Sequence, residues 1–124
     1  MFGLLHALDP TGLCNYGELV AIQLPSMVRH LLLLQFKQNA GQDRIDAMFS
    51  QFVGLKVRID GIESIEYGTN QSPENLNKNF THSVLVTFSD VLARDRYLVH
   101  PDHKDLEGVL LELLADLIVF DLES

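Results

Sequence analysis

From residue 27 onward, stretches of the sequence that fit β-strands alternate with stretches in which apolar residues recur at helical spacing. Stretches 28–37, 62–68 and 81–88 have the length and composition of β-strands. Between the first two, apolar residues recur every three or four positions, which predicts a helix from Asp43 with one face packed on a sheet. The residues on that face are Ile45, Met48, Phe49, Phe52 and Leu55.

A proline divides the second helical region. Ser89 is in position to cap a short helix that runs through Leu98. Pro101 fixes its own φ and disfavours a helical residue before it, so a second helix is predicted to begin at Pro101. Apolar spacing continues that helix to Leu117, and residues 118–122 form a closing strand.

The predicted order is β-α-β-β-α-β, which is the ferredoxin-like arrangement of an α+β domain. Such a sheet carries its helices on one face. The first and last strands are apolar on both faces, so the second face also needs cover, and no helix remains for it. We therefore expect a homodimer in which two sheets pack about a twofold axis.

The composition and net charge limit the kinds of molecule that the protein is expected to bind. The 124 residues carry a net charge of −8, with Lys and Arg scattered, which argues against nucleic acid or an anionic membrane as partner. No apolar run approaches the roughly 20 residues of a membrane helix. Cys14 is the only cysteine, so an internal disulfide is excluded and a cytoplasmic location is expected.

Residues 1–26 are less densely patterned than the rest of the chain. They contain no Lys or Arg, and His6 interrupts their apolar run, so we predict no secretory signal. Two interpretations remain: an extension before a domain that begins at Met27, or a loosely attached arm. We divide the chain into an N-terminal extension, 1–26, and a domain, 27–124.

Five short motifs are distributed over the domain. They are Met27-Val28-Arg29-His30, Tyr67-Gly68-Thr69-Asn70, Phe80-Thr81-His82, Tyr97-Leu98-Val99-His100-Pro101-Asp102-His103 and Val119-Phe120-Asp121. With them, the chain from Met27 to about Glu123 resembles the stress-responsive dimeric α/β-barrel (Dabb) domain family. The resemblance implies a homodimer whose two sheets form a barrel. Most members have no established activity, whereas a plant branch acts as polyketide cyclase without a cofactor.

The resemblance also indicates candidate site residues. In the plant branch a tyrosine and a histidine are the proposed working pair, and they match Tyr97 and His103. His30 and His82 match polar positions of that pocket, and Phe52 stands where the branch has a tyrosine. Imidazole titrates near neutrality, so we expect His103 to act as a general base while Tyr97 stabilises an enolate oxygen. The alternative is that both residues only support the bend.

Two functions are therefore weighed. One is cofactor-free cyclase or lyase chemistry on a small apolar carbonyl or polyketide-like compound, which predicts that Tyr97, His103, His30 and His82 line one pocket. The other is a non-catalytic stress-related or ligand-binding protein, in which His30 and His82 are core residues with satisfied hydrogen bonds. We predict no metal, because no regular element carries a close His-x-His or His-x3-His pair.

Overall fold

The computed structural model describes residues 26–124, so almost all of the predicted extension lies outside the described part. The elements are β1 (Val28–Phe36), α1 (Gln42–Arg58), β2 (Ile62–Thr69), β3 (His82–Phe88), α2 (Val91–Val99), α3 (Pro101–Leu113) and β4 (Leu114–Glu123). This order confirms the predicted ferredoxin-like α+β fold with a divided second helix. Among these helices, none is both long enough and apolar enough to cross a membrane.

The four strands form one antiparallel sheet in the order β2-β3-β1-β4. β1 lies inside the sheet, and alternate side chains along it are buried toward the helices. The five residues predicted for the core face of α1 are also buried, including Phe52. The core therefore lies between the helices and one face of the sheet, as the apolar spacing predicts.

The opposite face of the sheet, which we call the open face, is apolar as well. Leu31 of β1 lies beside Phe120 of β4, and Leu33 lies beside Ile118. Phe120 has 64% of its surface exposed. The apolar residues of the open face are Leu31, Leu33, Leu85, Ile118, Phe120 and Leu122. Ile118 and Leu122 are also exposed, at 42% and 54%, which agrees with the expectation that this face needs a partner.

Two predicted element boundaries are wrong. The last helix ends at Leu113 rather than Leu117, because backbone pairing with β1 extends from Leu114 onward. The segment Leu-Ala-Asp-Leu at 114–117 has little intrinsic preference for a strand, so the backbone pairing with β1 overrides its propensity. The residue that caps α2 is Asp90, whose Oδ1 accepts from Ala93 N at 2.8 Å. Ser89 instead donates its backbone N–H to Gly61 O at 3.0 Å, which keeps it outside the helix.

Candidate functional site

The bend between α2 and α3 is organised by His100. Its backbone is extended, with φ −69° and ψ 137°, as expected for a residue before proline. The backbone N–H of His100 donates to Tyr97 O at 3.1 Å, which ends α2. Its side-chain Nδ1 accepts from Asp102 N at 3.1 Å, which caps α3. His100 thus has a structural role, and the bend turns α3 so that His103 returns toward Tyr97.

Tyr97 and His103 are in direct contact. Their ring centroids are 4.3 Å apart, and both side chains are buried. Nδ1 of His103 lies 3.2 Å from the carbonyl oxygen of Leu98. Since a carbonyl can only accept, Nδ1 donates, and Nε2 of the neutral ring keeps its lone pair. Burial lowers the pKa of His103 more than the Leu98 hydrogen bond raises it, so the ring is neutral near pH 7 and can take up a proton.

The hydroxyl of Tyr97 is buried and lacks a hydrogen-bond partner among the described residues. Burial, followed by the negative charge of Glu107, raises the pKa of Tyr97 well above its ordinary value. The phenol therefore stays protonated and is available as a donor. A buried polar atom without a partner costs about 1–3 kcal/mol, so its presence needs an explanation. A ligand oxygen that accepts from this hydroxyl supplies one.

His30 approaches the same place from β1. Its ring packs edge-on against Tyr97, with centroids 5.9 Å apart. Nδ1 of His30 lies 2.6 Å from Oδ1 of Asp121, the residue opposite it on β4. Oδ2 of the same carboxylate accepts from Nη1 of Arg94, also at 2.6 Å. Sequence reasoning did not identify Asp121 or Arg94 as site residues, because their proximity to His30 depends on the pairing register of β1 with β4.

His82 does not join this group. In the β1–β3 register it lies opposite Leu34, four residues along β1 from His30. Its ring packs against Phe36 and Phe49, with centroids 5.0 and 5.6 Å away, and burial lowers its pKa. The expectation that all four predicted side chains line one pocket is therefore not met. Both histidines begin their strands, but antiparallel pairing places those starts at opposite ends of the sheet.

A separate pocket of about 360 Å³ lies at one edge of the open face. Leu33 and Ile118 of the sheet and the loop between β2 and β3 line it, and His82 contributes at its rim. Tyr97, His103 and His30 are not among its lining residues. Within the described range, no group of three or more His, Cys, Asp or Glu side chains is arranged to hold a metal ion.

The chain matches one protein-family model and is similar to two plant proteins. Residues 28–124 match the family model described as the Stress Responsive A/B Barrel Domain, Dabb. The chain is 29% identical over 94 residues to olivetolic acid cyclase of Cannabis sativa, an alignment that covers 76% of this chain and 93% of the cyclase. It is also 29% identical over 94 residues to the stress-response A/B barrel domain-containing protein HS1 of Arabidopsis thaliana, covering 76% and 86%.

A solved structure is similar at the same level of identity. It is a dimeric ferredoxin-like protein of unknown function from Jannaschia sp. CCS1, with a TM-score of 0.73 and 29% identity. The alignment covers 79% of this chain and 99% of that one. The fold seen here is thus one that a similar chain adopts as a dimer.

Proposed function

Because the chain belongs to the stress responsive A/B barrel domain family, we propose that it is a homodimer that binds a small carbonyl compound beside Tyr97 and catalyses proton transfer without a cofactor. The observation that carries the proposal is the buried Tyr97 hydroxyl, unpartnered among residues 26–124 and adjacent to a neutral His103. A fixed donor and a neutral base side by side are what enolate formation requires. The similarity to a cyclase supports this reaction class.

The proposed step begins with Nε2 of His103, which takes a proton from a carbon next to a carbonyl. The electron pair of that C–H bond moves into the carbon–carbon bond of an enolate, and the carbonyl oxygen becomes negative. Tyr97 donates its hydrogen bond to this oxygen. In a cyclase reaction the enolate carbon then attacks a second carbonyl of the same molecule, and the new alkoxide recovers the proton from His103. No oxidant or reductant is consumed.

The charges around the site favour an uncharged ligand. Tyr97 is protonated and His103 is neutral near pH 7. Of the neighbouring cations, Arg94 is paired with Asp95 and Asp121 at 2.8 and 2.6 Å, and Lys104 is paired with Glu107 at 3.4 Å. A free carboxylate on the ligand would have to be buried here without an available counter-charge, which is costly. We therefore propose a neutral ketone or polyketide-like compound.

The proposed homodimer forms through the open face. Isologous packing of two such faces covers Phe120, Ile118 and Leu122 of each chain at once. The protein from Jannaschia, 29% identical, is dimeric, which supports a dimer. The pocket at the edge of the open face would then lie at or near the interface.

A second candidate is a stress-related protein without catalytic activity. It is favoured by the burial of both Tyr97 and His103 and by a described pocket that neither residue lines. The similarity to a stress-response A/B barrel protein is compatible with it. In this case the aromatic cluster would only stabilise the bend.

Exchange of ketone α-protons for deuterium distinguishes the two candidates. A medium-chain methyl ketone in D₂O is incubated with the protein, and loss of its α-proton signal is followed by NMR. We expect acceleration over buffer, and a loss of about 10²–10⁴-fold of it in His103→Ala. Light scattering and circular dichroism verify that the variant remains folded and associated. Equal exchange with wild type and with buffer would reject the catalytic proposal in favour of the second candidate.

A further inference from the structure

Arg94 connects the helix that carries Tyr97 to the edge strand of the sheet. It lies in α2, three residues before Tyr97, and its side chain is only 23% exposed. Nε donates to Oδ1 of Asp95 at 2.8 Å, and Nη1 donates to Oδ2 of Asp121 at 2.6 Å. These hydrogen bonds raise the pKa of Arg94, so the guanidinium keeps its charge.

Asp121 is shared between this cation and His30. One carboxylate oxygen accepts from Arg94 and the other lies 2.6 Å from Nδ1 of His30. β4 is an edge strand, and 28% of the Asp121 side chain remains exposed. Without a second partner the carboxylate is free to turn toward water, and its bond to the imidazole has to compete with hydration.

We propose that Arg94 is a positioning residue, which holds Asp121 so that His30 is fixed as the Nδ1–H tautomer beside Tyr97. The role of this arrangement in catalysis rests on the proposed function. An ionised carboxylate can only accept, so Nδ1 of His30 must donate to it. In the neutral ring Nε2 then carries the lone pair, as Nε2 of His103 does. A ligand bound at Tyr97 would thus meet one phenolic donor and two imidazole acceptors.

The groups that surround His30 support this role. Across the sheet, Asp121 is the carboxylate in contact with it, and the rings of Tyr97 and Phe88 both pack edge-on against its ring on the side of the sheet that faces the helices. Neither ring offers a charged acceptor, and the third ring near His30, that of His103, is a neutral imidazole. The orientation of the imidazole therefore depends on the Asp121 carboxylate, and the position of that carboxylate depends on Arg94.

The tautomer of His30 can be measured without a substrate. The two imidazole nitrogens have well-separated ¹⁵N shifts when one carries the proton, and averaged shifts when tautomers exchange. Spectra are recorded at pH 9, well above the ordinary pKa of histidine, so that the ring is neutral. The signals of His30 are assigned from their loss in His30→Gln. We expect the Nδ1–H form to exceed the Nε2–H form by at least about tenfold in the wild type, since the hydrogen bond is to a charged group. In Arg94→Met the ratio should fall below about threefold.

Two further variants make the test specific. Arg44→Met removes an exposed ion pair of the same 2.6 Å length, to Glu112 rather than to Asp121, and should leave the His30 ratio unchanged. Asp95→Asn removes the charge of the other partner of Arg94 and should reduce the ratio less than Arg94→Met does. Dispersed amide spectra establish that each variant is folded.

The positioning role of Arg94 and the proposed function can fail independently of each other in these experiments. A His30 ratio in Arg94→Met equal to that of the wild type overturns the positioning role, even if deuterium exchange is fast. A collapsed ratio supports the positioning role even if no ketone is turned over. Where wild-type exchange is detected, Arg94→Met should slow it without dissociating the dimer, while Arg44→Met should not.

Discussion

Gly61 and Ala93 are packed so closely that a side chain at position 61 has no room. A Cβ atom there would lie 2.5 Å from Cβ of Ala93, and Gly61 also has a φ of +95°, which residues with a side chain rarely adopt. Ala93 lies one helical turn before Tyr97, and both are fully buried. The contact of Gly61, which immediately precedes β2, with α2 therefore sets the position of the helix that carries Tyr97.

Gly61→Ala should lower the free energy of unfolding by about 1–3 kcal/mol, because it introduces both a clash and an unfavourable φ. Gly54→Ala is the matched control. Gly54 lies within α1, and a Cβ there meets no atom within 4 Å. That change should stabilise the protein by up to about 1 kcal/mol through helix propensity. Urea denaturation measures both, and wild-type stability in Gly61→Ala would contradict the close-packing argument.

His103 should make stability depend on pH. Burial lowers its pKa in the folded protein below the ordinary histidine value of about 6.5. Below about pH 6.5 the unfolded chain therefore binds more protons at this residue than the folded chain, so stability falls as the pH falls toward the folded-state pKa. The slope due to one such group is at most about 1.4 kcal/mol per pH unit. His103→Gln should lose less stability than the wild type between pH 7 and pH 5 in urea titrations, whereas parallel curves would contradict this.

The bend around Pro101 is the part of the site that the sequence predicts well. Proline acts on its own φ and on the residue before it, so the interruption at His100 follows from local sterics. Across this bend the rings of Tyr97 and His103 are in contact, with centroids 4.3 Å apart. Strand and helix order likewise follow from apolar spacing, which depends only on neighbouring residues.

What could not be predicted depends on pairing between distant residues. Asp121 joins the site because β4 pairs with β1 in a register that sets it beside His30. His82 is excluded because the β1–β3 register sets it beside Leu34. The boundary at Leu113 was missed for the same reason, since the residues that follow it are recruited by backbone pairing rather than by their own propensity.

A charge on the open face should prevent association if that face is the dimer interface. Phe120→Glu places a carboxylate among exposed apolar residues of β4, and burying it against a second copy would be strongly unfavourable. We expect two chains per particle for the wild type and one for the variant at micromolar concentration. Sedimentation velocity makes the measurement.

Val57→Glu is the matched control for this experiment. Val57 is 89% exposed on α1, on the helix side of the sheet, so the same charge there should leave the dimer intact. A monomeric wild type, or a Phe120→Glu variant that still dimerises, would contradict the assignment of the interface to the open face.

We expect the hydroxyl of Tyr97 to lower the free energy of unfolding and to be needed for the proposed proton transfer. In residues 26–124 it is buried without a hydrogen-bond partner, so Tyr97→Phe removes an unsatisfied polar group and retains the ring that packs against His103 and Phe88. We expect the free energy of unfolding to rise by about 1 kcal/mol or more. Ketone α-proton exchange should fall by about 10²-fold, the cost of losing one oxyanion donor. Urea denaturation and deuterium exchange measure the two effects.

Tyr67→Phe removes the same atom from a ring that is half exposed on β2, and it should change neither quantity. The two variants together distinguish a functional hydroxyl from a structural one. If Tyr97→Phe is less stable than the wild type, the hydroxyl is satisfied in the folded protein and contributes to the bend. If it is more stable but exchanges deuterium as fast as the wild type, the donor has no part in enolate formation. Only a gain in stability combined with a loss of exchange fits a hydroxyl that is unpartnered in the folded protein and donates to a ligand oxygen during the reaction.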